Sequence, residues 1–483
     1  VTLGAGNDTF DWQGGTFTSI DAGSGTTDVF NSALGAGVSG SLNLSNLSGF
    51  ETYNHSTGEL TLTGSRNGGP VWNIATGTTL NLSGSLTNVA GTGFAITAGS
   101  GATVNVLAGG VLNNWVSVYF NGSATSTVTN SGSMTATNTG ITSSNGRINV
   151  TNNAGGTITA GTSGAILLAF GGGTIINNGT LTGGSDVQAG FGLLAQYTGA
   201  TVTNNAGTIS GGAGGILSGS TIYGGLLSVT NAAGAQISGP VAITTGGTSS
   251  LTLNNSGRVL GGTTGAIVAN GSGAVAITNN AGGQIVSSGG NAVSTIGTAT
   301  ITNAGLIGNG TVSGGGVYTA SGTNYAINIA GGTITNSGTI TGGGAGIYSS
   351  NGLTLTNTGT ITGGEGGGVL FRDGVAVLNA PSTILNAGTI SAPVYSALLI
   401  QGGTITNAAA GSLTGGSDTA VGVAVQFSAT GGAFTNYGSA TGAGAGAVRV
   451  NTPGAATTIN LHAGSTTGAI LLNSGNDTLS IYS

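Results

Sequence analysis

The sequence predicts an all-β chain wound as a right-handed parallel β-helix (β-solenoid), with roughly 25 residues per rung. Three observations lead there. Glycine supplies 101 of 483 residues, while charged residues make up only 3% of the chain. A phrase of the form apolar–Thr–Asn–x–Gly–Thr–Ile–Thr–Gly–Gly recurs with variants, nearly complete at Ile334–Gly343 and Leu355–Gly364. Within that phrase the apolar positions alternate with period two, as strands require, and not with the 3.6 of a helix.

Composition excludes several functions before any motif is read. Usual proteins carry roughly 25% charged residues, and all five bases here are arginines, too few to neutralise a nucleic-acid backbone. Acid–base and phosphoryl chemistry need convergent ionisable groups, which are scarce. Disorder goes with high charge and low hydrophobicity, yet the chain is 38% apolar. Five prolines are too few for collagen, and the absence of cysteine rules out disulfides and thiolate metal sites. No apolar run reaches the roughly 18 residues of a membrane-spanning helix, so no membrane insertion is expected of this segment.

Residues 1–65 read as a distinct acidic N-terminal β segment, since six of the eleven acids fall there: Asp8, Asp11, Asp21, Asp28, Glu51 and Glu59. Residues 66–470 form the repeat array. Its phrase centres on Asn130, Asn153, Asn177, Asn205, Asn231, Asn255, Asn280, Asn303, Asn336, Asn357, Asn386, Asn407 and Asn436, at intervals of 21 to 33 residues. In Thr333–Asn336, Ile334 and Asn336 face one way and the threonines the other. A turn at Ser337–Gly338 leads to Thr339–Ile340–Thr341, and a third short apolar segment follows, as at Gly346–Ile347–Tyr348. Three such strands make one rung. Stacked at ~4.8 Å, about nineteen rungs would give a rod near 90 Å long. Right-handed winding follows from the preference of parallel crossovers. Glycine at the corners is expected to supply positive φ. The inward asparagines are expected to form a structural ladder, each amide donating to one neighbour and accepting from the other. Residues 471–483 close the chain on Ser474–Gly475–Asn476–Asp477–Thr478–Leu479, an echo of Gly4–Phe10, as in a segment of a longer protein.

The opening phrase GAGNDTF, then IDAGSG from Ile20, LSGFE from Leu47 and LTLTG from Leu60, together with the many TNxGTITGG rungs, resemble bacterial autotransporter passengers. These phrases cover most of the chain. The resemblance implies a right-handed β-helix, export to the surface of a Gram-negative bacterium, and roles in adhesion, aggregation or biofilm. No C-terminal membrane barrel accompanies it in this sequence.

Candidate sites are few. GAGNDTF also resembles one turn of the Gly-Gly-x-Gly-x-Asp-x-apolar calcium repeat, which makes Asp8, Asp28 and Asp477 weak calcium candidates against a reading as turn aspartates capping backbone amides. No other cofactor is expected. Glu365, Arg372 and Asp373 form the nearest approach to a catalytic cluster, read here as a solvated turn. His55 and His462 read as surface residues. Trp115, Tyr119 and Phe120 mark a disrupted rung or side loop, with glycan stacking the alternative. The expected function is thus non-enzymatic: an extracellular adhesive β-helix whose partners are neighbouring copies, surface glycans or proteins. The alternatives are a self-associating filament or sheath subunit, through unpaired end strands, and a polysaccharide-acting enzyme.

Overall fold

A computed structural model describes the chain except for residues 88–92, 220–221, 314–317, 321–322, 365–372, 444–445, 452 and 464–465. It is a parallel β-solenoid of about 18 coils with about 24 residues per coil. Among the described residues the only helical piece is a 3-10 turn at Leu44–Asn46. Two compact units divide it: Val1–Gly239 with Gly246–Ser249, and Pro240–Thr245 with Ser250–Ser483.

The second unit shows the coil in its plainest form. One coil comprises an opening strand Ile347–Ser349, an asparagine strand Leu353–Asn357 and a closing strand Thr360–Thr362. Each pairs in parallel with its counterpart in the coil before, Ile327–Ile329, Gly332–Asn336 and Thr339–Thr341. Alternation sorts the side chains. Ile334, Asn336 and Ile340 are buried, while Thr333, Thr335 and Thr339 are exposed. Because the register is kept, Ile334, Leu355, Ile384 and Ile405 stack inside successive coils. Each such side chain contributes about 1.5–3 kcal/mol by leaving water.

The uneven spacing of the phrases has a local cause. The longest interval, from Asn303 to Asn336, contains the strand Leu306–Val312 turning back on Tyr318–Ala320 as an antiparallel hairpin. The Tyr318 hydroxyl donates to the Asn309 carbonyl at 2.7 Å. Insertions of this kind lengthen a coil without shifting the strands that follow, since Thr300–Asn303 still pairs with Thr333–Asn336.

In the first unit the strands run in the same parallel register from the start. Thr9–Trp12 pairs with Val29–Ala33, which pairs with Thr52–Thr57, which pairs with Trp72–Ile74. The pairing therefore crosses residue 65 unbroken: Glu59–Leu62 pairs with Thr79–Leu82, and Ser65–Asn67 with Ser85–Thr87. Residues 1–65 are distinct in their core, not in their winding. Phe30 lies 5.8 Å from Phe10 and 5.5 Å from Phe50, and Tyr53 stacks on Trp72 at 4.7 Å. In later coils the same column turns aliphatic, Trp72 being followed in register by Ile96, Val118, Ile141, Ile166 and Leu193.

The expected side loop at Asn114–Phe120 is instead part of a ten-residue strand, Val111–Phe120, paired with Ser133–Ser143. Trp115 keeps the plain alternation of its strand and is 50% exposed, while the register shifts between Asn114 and Val116 because Ser133–Ser143 holds one extra residue there. The bulge lets one strand pass a corner and keep pairing.

Candidate functional site

The asparagine ladder exists, and it is structural. In the first unit it runs Asn130, Asn152, Asn177, Asn204 and Asn231. In the second it runs Asn255, Asn279, Asn303, Asn336, Asn357, Asn386, Asn407 and Asn436. Each Nδ2 donates to the next Oδ1 at 2.8–2.9 Å, always toward the C-terminus. Most ladder amides also reach backbone. For Asn336, Nδ2 lies 3.2 Å from the Gly338 carbonyl and 3.3 Å from that of Thr360. All of these asparagines are fully buried. Apolar residues adjoin the array, with Val106 in register beside Asn130 and Leu461 beside Asn436.

Three of the expected ladder positions are displaced by one residue. Asn153, Asn205 and Asn280 lie outside the ladder, and Asn152, Asn204 and Asn279 take their places. A one-residue slip in a strand turns a side chain to the opposite face. In Ile148–Asn152 the alternation that buries Ile148 and Val150 also buries Asn152. Asn153 faces outward and donates to Ser131 Oγ at 2.8 Å. Asn205 donates to Asn178 Oδ1 at 3.0 Å, and Asn280 to Ser256 Oγ at 2.9 Å.

Among the described residues every acid but Asp8 is a hydrogen-bond acceptor built into the coils. Asp28 Oδ1 accepts the amide of Asp8 at 2.7 Å, and Glu51 Oε2 accepts the amide of Asp28 at 2.6 Å. Asp477 Oδ1 accepts the amide of Thr457 at 2.8 Å. In each case the carboxylate caps the coil before its own. Among the described residues no three acidic or histidine side chains gather as a metal site. The calcium candidates Asp8 and Asp28 meet through a backbone amide, and Asp477 lies in the other unit.

Two outward amide ladders were not legible from the phrase. Asn73 donates to Asn54, Asn54 to Asn31, and Asn31 to Asp11. Asn105 donates to Asn81, and Asn81 to Glu59. A carboxylate accepts but cannot donate, so it fits only at the acceptor end, here the first rung. Asp186 and Asp418 serve a third use. In the matching phrases Gly-Gly-Ser-Asp, Asp186 Oδ1 accepts the amides of Gln188 and Ala189, and Asp418 Oδ1 those of Ala420 and Val421. Those amides hold the Asp186 carboxyl below the ordinary range.

Two further readings change. His55 is buried, not on the surface: its Nδ1 lies 2.8 Å from Ser32 Oγ and its Nε2 3.1 Å from the Gly58 carbonyl. Burial lowers its pKa, so it is neutral and bridges two coils. Asp373 is 2% exposed, not part of a solvated turn. Its Oδ1 accepts the Ser396 amide at 2.9 Å, and burial raises the carboxyl to about 7. Glu365 and Arg372 lie outside the described residues.

Aromatic side chains supply the exposed features. Tyr437, His462 and Tyr482 stack at 4.0 and 4.5 Å on successive coils. Phe170 and Tyr197 stack at 4.6 Å, with Tyr223 turned 71° to Tyr197 at 5.7 Å. Of the aromatics singled out from sequence, Phe120 is buried and Tyr119 stacks on Phe94 at 4.7 Å. No family model, curated protein or solved structure matches the chain.

Proposed function

We propose that this chain is the structural and adhesive β-solenoid of an extracellular bacterial surface protein, of the autotransporter-passenger kind. One observation carries the reading. On the outer face of the asparagine strand, Thr300, Thr333, Thr354, Thr383 and Thr404 stand in register on five successive coils, all exposed. A hydroxyl and a methyl are thus presented at every coil, without charge, on a backbone already paired. Many weak contacts of this kind add when two such surfaces meet, because each contact raises the effective concentration of the next. The resemblance of the repeated phrases to surface passengers supports the same reading. The acids support it too, since their hydrogen bonds serve the coil.

The test is display of the chain on bacteria that do not aggregate by themselves. Faster settling and thicker films are the expected outcome, and both should decline when Thr333, Thr354, Thr383 and Thr404 are replaced by glutamate. Settling equal to that of undecorated cells would reject the adhesive role.

A further inference from the structure

In the first unit a shallow groove of about 330 Å³ crosses the corners of four successive coils. Its floor is glycine, and the coils dictate that. A Cβ on Gly171 would lie 2.0 Å from the Gly146 carbonyl, one on Gly173 2.1 Å from that of Ile148, and one on Gly199 1.9 Å from that of Leu226. Side chains are therefore excluded from the floor, and a trough is left. Arg147 lines one end and is exposed, and its guanidinium has no hydrogen-bond or charge partner among the described residues. Thr198 and Thr201 line the middle, and the Thr198 hydroxyl likewise has no partner. Phe170 and Tyr197 immediately precede the lining residues Gly171 and Thr198, Tyr223 stands three residues before Leu226, and the three rings contact one another as an apolar border next to the groove. Phe170 is 57% and Tyr223 56% exposed.

We infer that this groove binds an acidic polysaccharide, with Arg147 holding a uronate carboxylate and the aromatic border packing against the sugar C–H faces. The chemistry selects that occupant. The exposed Arg147 guanidinium is suited to a carboxylate, which it can engage with two parallel N–H donors. Aromatic walls beside hydroxyl donors suit a ligand that is apolar on its faces and polar at its rim. Coils repeat at ~4.8 Å, close to the length of one pyranose along an extended glycan and longer than the ~3.3 Å advance of an extended peptide. The inference rests on the adhesive reading, to which it assigns a ligand class.

Calorimetric titration with hexagalacturonate tests it, with cellohexaose and hexaglutamate as comparators. Hexagalacturonate is expected to bind, and Arg147→Gln to weaken it about tenfold or more, the usual worth of a charged hydrogen bond. Phe170→Ala with Tyr223→Ala should weaken hexagalacturonate binding, with the thermal midpoint of each variant checked to confirm folding. Absence of hexagalacturonate binding, an unchanged affinity in Arg147→Gln, or equal binding of hexaglutamate would overturn the proposal. Cell settling separates the two claims. If Arg147→Gln loses the sugar while settling persists, the groove stands apart from aggregation. If wild-type cells settle but hexagalacturonate does not bind, only the groove assignment fails.

Discussion

Asn336 donates to Asn357 and accepts from Asn303, in a site without water access. Removing its side chain strands a donor below and an acceptor above. Asn336→Ala should therefore lower the free energy of unfolding by about 1–3 kcal/mol in urea titration. Asn153→Ala, one residue from the ladder and facing outward, should stay within about 0.5 kcal/mol of the parent. Equal losses would show that neither burial nor ladder pairing sets Asn336 apart. Asp373 poses a pH question at the same scale. Its native carboxyl keeps a proton up to about pH 7, whereas the unfolded group ionises near 3.8. Between those values the native state binds more protons, so stability falls as pH rises and levels off above the native value. The loss is on the order of 2–4 kcal/mol. Asp373→Asn should flatten that slope and be the more stable protein at pH 8, as thermal melts across pH 4–8 would record.

At the scale of the element, the strands themselves were legible. Thr-Ile-Thr and Thr-Ile-Thr-Asn alternate with period two, and that period alone divides core from surface. The choice between adjacent asparagines was decidable by the same rule, from the buried residue two places earlier, as with Val150 before Asn152. Glycine is the instructive case. The left-handed backbone explains some corners, such as Gly234 at φ +83°. At Gly359 the reason is different: an added Cβ would lie 2.1 Å from the Gly338 carbonyl of the coil before, and Gly388 stands in the same relation to Gly359. These glycines are required by a neighbour distant in sequence. Gly359→Ala should cost about 1–3 kcal/mol or more by forcing two coils apart. Gly234→Ala, with nothing within 4 Å of its Cβ, should cost only the roughly 1 kcal/mol of the left-handed conformation. Paired urea melts would check the order, and the reverse order would mean that the coils separate easily.

Across the whole molecule, scarcity of charge becomes a building rule. Amide ladders, backbone pairing and apolar columns leave every acid but Asp8, among the described residues, a defined task as an acceptor. Aggregation through the threonine faces should accordingly persist at about 0.5 M NaCl, where exposed charge pairs are screened within ~4 Å. Uronate binding at Arg147 should weaken under the same salt.

Composition and the period-two phrase by themselves determined a β-solenoid, its approximate repeat and an inward column of asparagines. These are local properties: each residue's face follows from its place in its own strand. Which asparagines meet, where a carboxylate may end a ladder, why Gly359 admits no side chain and how Arg147 comes to share one groove with Thr198 and Leu226 were decided only by stacking. Stacking brings together residues such as Asn54 and Asn73, 19 positions apart, or Asn303 and Thr339, 36 apart, and hairpins and insertions alter that distance from coil to coil. A pattern read along the chain carries no measure of those lengths until the coils are laid in register.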